Sequence, residues 1–219
     1  MVENRSIAYR RLAMDDLRDA LAHSQDEFIA RYQRFALPIA TQTTQRALDQ
    51  AGLRPCDLAG LAVNPCTGNL CPGLSGYVAE ALGLPPAVHP FDLMGMGCGG
   101  ALPNLELGAS FVQCRPGAHF LSLAVEVCSA NLFLSEARHI LVSNAIFGDG
   151  AAAAVLTSRP DAPGVQLVRF AAGLYPEHRR HLHPRWEAGR LRNILSTRVP
   201  LAGARAAGPS SSACSTKLA

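Results

Sequence analysis

Short apolar runs alternate with segments of helical periodicity along most of the chain, and this alternation restricts the possible folds more than any other feature. The apolar runs, each of which predicts a strand, lie at 58–64, 89–96, 118–127 and 151–157. The helical patterns lie at 25–52, 73–82, 98–113 and 137–147. Strands that alternate with helices predict an α/β fold, in which a mixed sheet has helices packed on its faces.

The pattern is less regular at both ends of this region. Asp15 is expected to cap a first helix, and Pro38 predicts a break or restart within the helical pattern at 25–52. A further strand is predicted at Val165–Ala172, after a turn at Pro160–Gly164.

The most distinctive chemical feature is Cys98, which lies in the glycine-rich stretch Gly95-Met-Gly-Cys98-Gly-Gly100 between a predicted strand and a predicted helix. Glycines permit a sharp turn and the close approach of another molecule. A thiol at the start of a helix lies near unpaired N–H groups and the positive end of the helix dipole, and both favour the thiolate. Cys98 is therefore a candidate nucleophile, although a single cysteine is more often a buried packing residue.

The same letters also match the dinucleotide-binding pattern G-x-G-x-x-G. That pattern requires an acidic residue about twenty positions further on, where it holds a ribose. The next predicted strand contains no acid before Glu126. A nucleotide site is therefore the less favoured interpretation.

The remaining cysteines extend the hypothesis. Cys66, Cys98 and Cys128 each follow a predicted strand, and sites in α/β sheets gather at the carboxyl ends of strands. We therefore expect the three thiols to converge on one pocket. The chain has seven cysteines with irregular spacing and no C-x-x-C pair, which is typical of a reduced, cytoplasmic protein with free thiols.

Composition disfavours several other classes of function. The net charge is only +3 and the basic residues are mostly scattered, so nucleic-acid binding is not expected. No apolar run reaches the ~18 residues of a membrane span. His178, His181 and His183 are interleaved with arginines, which indicates a solvated loop rather than a metal site. No metal or other cofactor is predicted.

Four segments, in order, resemble the type III polyketide synthases, the relatives of chalcone and stilbene synthase within the thiolase-like fold. The segments are Cys66-Thr-Gly-Asn-Leu-Cys71-Pro-Gly, Gly95-Met-Gly-Cys98-Gly-Gly-Ala, Val125-Glu-Val-Cys128-Ser and Asn144-Ala-Ile-Phe147-Gly-Asp-Gly-Ala-Ala. The resemblance predicts a domain at 5–207 that corresponds to the N-terminal half of such enzymes. Residues 208–219 change abruptly in composition and are expected to form a disordered or aberrant tail.

The resemblance implies a role for several residues. Cys98 corresponds to the nucleophile that takes a starter acyl group from coenzyme A as a thioester. Phe147 corresponds to an aromatic gatekeeper at the mouth of the acyl pocket, and Cys71 to a residue that reaches across a dimer interface. The positions that line the acyl pocket correspond to Cys66, Cys128 and Asn131.

The family's reaction, also by resemblance, is the decarboxylative condensation of malonyl-CoA onto an acyl-CoA starter. It needs a His and an Asn that donate hydrogen bonds to the developing oxyanion. None of the seven histidines lies in a segment like the family's, so we expect a truncated chain that is inactive alone. Its expected partners are acyl-CoA, malonyl-CoA and either a second copy or a full-length synthase.

Two alternatives to an acyltransferase by lineage stay open at this point. One is a non-catalytic fragment that pairs with a full-length synthase. The other is a ketoacyl-carrier-protein synthase III or hydroxymethylglutaryl-CoA synthase role, which would keep the same fold. The contexts Cys66-Thr-Gly and Phe147-Gly-Asp-Gly favour the polyketide branch.

Overall fold

The computed structural model describes two compact units. It covers residues 7–16, 18, 24–132, 134–187 and 190–207. The first unit contains the described residues up to 132 together with 147–170. The second contains 134–146 together with the described residues from 171 onward.

A four-stranded mixed sheet forms the centre of the first unit. Its strands are β1 (Leu58–Pro65), β2 (His89–Asp92), β3 (His119–Glu126) and β4 (Gly150–Thr157). They lie in the order β2-β1-β3-β4. β1 is parallel to β2 and β3, and β4 is antiparallel to β3. The predicted α/β fold with a mixed sheet is therefore confirmed.

Three helices cover this sheet: α1 (Gln25–Ala51), α2 (Leu74–Leu82) and α3 (Ala101–Gln113). Leu61 and Val63 of β1 pack in the same core as α1, whereas Ala62 packs in a second core with Phe111 and Val112 of α3. Because successive side chains of a strand point to opposite faces, α1 and α3 lie on opposite sides of the sheet. The two central strands are buried on both faces, as parallel strands between helical layers usually are.

The α1 helix runs through Pro38 without interruption, so the expected break is wrong. A capping box between Ser24 and Glu27 starts the helix, and Gly52 ends it in a left-handed conformation. Its buried positions recur every fourth residue: Tyr32, Ala36, Ala40, Thr44 and Leu48. Pro38 lies on the exposed face, where the missing N–H does not disturb this packing. None of the described helices has the length and apolarity of a membrane span.

The structure also corrects two strand predictions. β2 ends at Asp92 instead of continuing to residue 96, because Gly95 and Gly97 adopt left-handed φ angles of 75° and 63° and turn the chain away from the ladder. The strand predicted at Val165–Ala172 is absent, and Val165 is 91% exposed. An apolar run forms a strand only where a neighbour accepts its hydrogen bonds and covers its side chains. The helix expected to start at Asp15 falls largely on residues outside those described.

The second unit contains elements that the apolar pattern did not predict. They are β5 (Leu182–Glu187), β6 (Arg190–Leu195) and α5 (Val199–Ala207), in addition to the predicted helix α4 (Arg138–Ile146). β5 and β6 pair antiparallel, with Leu182 opposite Leu195. The two residues that separate these strands in the sequence lie outside those described.

Gly60 offers a test of the packing between β1, β3 and α3. A Cβ at this position would lie 2.8 Å from the Phe120 ring and 2.9 Å from the Phe111 ring. We expect Gly60→Ala to lower the free energy of unfolding by about 1–3 kcal/mol, because the rings must shift. Gly76→Ala, which meets nothing within 4 Å in helix α2, is the control and should stabilise by about 0.5–1 kcal/mol. Denaturant unfolding measures both, and equal effects would contradict this packing.

Candidate active site

Three thiols gather at the carboxyl ends of the parallel strands. Cys66 directly follows β1, and Cys128 begins a short 3₁₀ turn after β3. Cys98 lies in a second 3₁₀ turn, Gly97–Gly99, just ahead of α3. The three are close enough for their charges to influence one another. The structure thus brings together the thiols that the sequence placed after separate strands.

Two left-handed glycines shape the turn that carries Cys98. Gly95 and Gly97 both have positive φ angles, a conformation that is costly for any residue with a Cβ. Gly97 and Gly99 then form the 3₁₀ turn, and α3 begins two residues later. Cys98 is exposed in this turn. The prediction of a glycine-rich turn between a strand and a helix is confirmed.

Cys98 and Cys66 form a hydrogen-bonded thiol pair. The Cys66 thiol donates to the Cys98 sulfur, and this bond lowers the pKa of Cys98 from 9.0 to about 6, although partial burial and the charge of Glu126 oppose it. The pKa of Cys66 is raised, first because its thiol is the donor to Cys98 and then by burial. These shifts favour the thiolate form at Cys98 and the neutral thiol at Cys66.

Glu126 holds the loop of Cys66 in place. Its Oε1 accepts from the Cys66 amide at 2.9 Å, and its Oε2 accepts from the Thr67 amide at 3.0 Å. The Thr67 hydroxyl accepts from the Val127 amide at 2.8 Å, which ties the loop to β3 a second time. Burial raises the pKa of Glu126, while these hydrogen bonds act in the opposite direction. Sequence reasoning missed this role; the signal was an acid at the end of a buried strand.

Cys128 and Asn131 lie against the same loop. Cys128 is half-buried, and its pKa is raised to about 12 by burial and by the negative charges of Glu126 and Asp149. The neutral thiol is therefore the favoured form of Cys128. The Asn131 side-chain amide donates to the Thr67 carbonyl at 3.0 Å. Both residues adjoin the thiol pair, and their contact with an acyl chain stays a prediction.

Asp149 fastens the segment of Phe147 to the rest of the first unit. Its carboxylate accepts from the Ser129 amide at 2.8 Å, from the Ser129 hydroxyl and from the Ala13 amide. The Phe147 carbonyl accepts from the Arg10 guanidinium at 3.0 Å. The Phe147 residue is half-buried, and none of these contacts joins it to Cys98. Its gatekeeper role stays a prediction.

Cys71 is separate from the thiol pair in the contacts of the described residues. It is exposed and precedes Pro72, just before helix α2. Asp92, at the end of β2, accepts from the Ser75 amide at 3.1 Å and from the Ser75 hydroxyl, which fixes the start of α2. The position of Cys71 in a dimer interface stays a prediction.

The three histidines of the 178–183 segment do not form a metal-binding group with other ligands. The rings of His178 and His181 lie 5.4 Å apart, and the Tyr175 ring stacks on His178. Across the part of the chain that the structure describes, no group of three or more His, Cys, Asp or Glu side chains is arranged to hold a metal ion.

A mixed sheet with three thiols gathered at the carboxyl ends of its parallel strands defines an α/β protein with a candidate thiol site. The sequence narrows this class. A profile of the FAE1/Type III polyketide synthase-like protein family matches residues 20–170. The chain therefore belongs to the FAE1/type III polyketide synthase-like family.

Curated relatives agree with this assignment. The chain is 28% identical over 207 residues to a 3,5-dihydroxyphenylacetyl-CoA synthase of Streptomyces toyocaensis, which covers 91% of this chain and 53% of that protein. It is 31% identical over 153 residues to the enzyme of the same name from Amycolatopsis balhimycina, with 69% and 41% covered. The chain thus spans about half the length of the relatives it matches.

Solved structures show the same relationship. The 1,3,6,8-tetrahydroxynaphthalene synthase of Streptomyces coelicolor, a bacterial type III polyketide synthase, superposes with a TM-score of 0.81 at 27% identity. The match covers 88% of this chain and 56% of that one. The synthase PKS-I of the brown alga Ectocarpus siliculosus gives a TM-score of 0.78 at 26% identity. The expected type III polyketide synthase fold is confirmed.

Removal of the Cys66 thiol tests the thiol pair. We expect Cys66→Ala to raise the pKa of Cys98, because the hydrogen bond that favours its thiolate is lost. The rate of Cys98 alkylation by iodoacetamide at pH 7 should fall by at least about tenfold, since the thiolate fraction falls. Mass spectrometry of the Cys98 peptide measures the rate. Cys128→Ala is the control, and an equal loss in both variants would contradict a specific pair.

Proposed function

We propose that this chain performs the acyl-accepting step of a type III polyketide synthase. In this step the Cys98 thiolate attacks the thioester carbonyl of an acyl-CoA. A new carbon–sulfur bond forms to Cys98, and the bond to coenzyme A breaks. Coenzyme A leaves as a thiolate that takes a proton from water. The single observation that supports the proposal most is the exposed position of Cys98 in the glycine turn ahead of helix α3, at the carboxyl ends of the parallel strands.

The electrostatics of the site suit this exchange. A thiol with a pKa of about 6 is largely ionised at neutral pH, so the attacking species is present without a separate general base. The other two thiols are held in their neutral forms, since the pKa values of Cys66 and Cys128 are both raised. The site therefore offers one thiolate among three thiols, which favours acylation at one position.

Chain extension with malonyl-CoA needs more than this thiolate. Decarboxylation creates an enolate-like oxygen that requires fixed hydrogen-bond donors. The groups that shift the pKa of Cys98 in the described residues are Cys66, Glu126 and its own backbone, with no histidine among them. We therefore propose that the chain forms the acyl-thioester but does not condense malonyl-CoA onto it by itself.

Incubation with a hexanoyl-CoA or aromatic acyl-CoA starter tests the acyl-accepting step. We expect an added mass of one acyl group on the Cys98 peptide, reversed by hydroxylamine. Cys98→Ser should abolish the adduct, because a hydroxyl of high pKa is a poor nucleophile here. Cys114→Ser, at the other end of helix α3, is the matched control and should leave it unchanged. Acylation spread evenly over several cysteines would contradict the proposal.

The same assay with malonyl-CoA tests the limit on extension. We expect no pyrone or resorcinol product from the purified chain, although Cys98 is acylated. Chromatography with mass detection measures these products. Their formation would overturn the proposed lack of condensation and leave the acyl-accepting role intact.

We also propose that the chain pairs with a second copy or with a full-length synthase. The exposed loop of Cys71, ahead of helix α2, supports a contact at this surface. Light scattering of the purified chain, and co-purification with a full-length family member, distinguish these partners.

A further inference from the structure

Asn104, in the second turn of helix α3, is a fully buried polar residue beneath the turn of Cys98. Its side-chain nitrogen Nδ2 lies 3.1 Å from the Ala62 carbonyl and 3.2 Å from the Leu123 carbonyl. The same nitrogen lies 2.6 Å from Oδ1 of Asn64. One amide group thus joins α3 to both central strands, β1 and β3.

These contacts fix the orientation of two amides in succession. The atom of Asn104 that faces two backbone carbonyls must be the donor, so it is the NH₂ group. Asn64 must then present its oxygen to Asn104, which turns its own NH₂ group the other way. That NH₂ group faces Gly100, and a Cβ on Gly100 would lie 3.0 Å from it.

Gly100 completes the connection to the nucleophile. Its amide donates to the Gly97 carbonyl at 3.1 Å, which closes the turn around Cys98. Its carbonyl accepts from the Asn104 amide at 3.1 Å, which starts helix α3. The point where a Gly100 Cβ would lie is also 3.3 Å from the Gly97 carbonyl oxygen. A side chain at position 100 would therefore be in tight contact with both the turn and the Asn64 amide.

Asn104 makes these contacts at a cost. Its own Oδ1 is buried and has no hydrogen-bond partner among the described residues. A buried, unpaired acceptor lowers stability, and an apolar residue would avoid the penalty. Asn104 therefore has a use other than packing, and its contact with Asn64 leads to the turn of Cys98.

We propose that Asn104 is a positioning residue for Cys98, which acts through Asn64 to hold the Gly97–Gly100 turn against β1 and so keeps Cys98 beside Cys66. The inference rests on the proposed function, since it gives Cys98 the role of nucleophile. Neither asparagine touches the sulfur in the described contacts, so each acts through the backbone of the turn.

The pH profile of Cys98 alkylation tests this role in the intact chain. Asn104→Leu removes the donor and keeps the branched shape of the side chain, with bulkier methyl groups, and Gly100→Ala places a Cβ 3.0 Å from the Asn64 amide nitrogen. We expect both to move the midpoint of the profile upward by about one pH unit and to slow alkylation at pH 6.5 about threefold. Gly99→Ala, which meets nothing within 4 Å, should leave the midpoint unchanged.

A second control separates positioning from stability. Leu156→Ala weakens the packing of β4 beneath α3 without touching either amide, so it should lower the melting temperature and keep the midpoint. An unchanged midpoint in a folded Asn104→Leu chain would overturn the inference. If that variant does not fold, Gly100→Ala decides the question in the same way against Gly99→Ala. Absence of an acyl adduct in the wild-type chain would instead contradict the proposed function.

Discussion

The parallel pairing of β1 with β3 is the constraint on which the site depends. In their register Pro65 lies opposite Val125, so the two strands end at the same level. Glu126 therefore lies beside the first residues of the loop after β1, where it accepts from the amides of Cys66 and Thr67. A slip of this register would remove both contacts and move the Cys66 thiol away from Cys98. The pairing of β1 with β3 thus determines where the loop of Cys66 lies, independently of the turn of Cys98.

A difference in hydrogen bonding lowers the pKa of Cys98, whereas the pKa values of Cys66 and Cys128 are raised. Burial and the charge of Glu126 raise the pKa of a thiol wherever they act, and both act on all three cysteines. Only for Cys98 does a donor, the Cys66 thiol, outweigh these effects. Glu126 therefore has two opposed influences, because its hydrogen bonds position Cys66 while its charge disfavours the thiolate.

The sequence contained enough information to predict the central sheet and the turn of Cys98. Continuous apolar runs identify β1 and β3, and glycines identify the turn. The roles of Glu126 and Asn104 were not predictable, since each depends on which strand carbonyls and amides come into register. Pro38 lies on the exposed face of α1, and Val165 lies in a segment without a pairing strand; neither fact is visible in local pattern. Local periodicity predicts whether a segment is a helix or a strand. The contacts of Glu126 and Asn104 and the environments of Pro38 and Val165 depend instead on the neighbouring segments.

The ionisation of Cys98 tests the central claim most directly. The ultraviolet absorbance of thiolate, followed against pH in the wild-type chain and in Cys98→Ser, gives the titration of this thiol as a difference. A single step with a midpoint near pH 6 is predicted, because the Cys66 hydrogen bond favours the thiolate. A difference that rises only near pH 9.0, the ordinary value for a cysteine, would contradict the account.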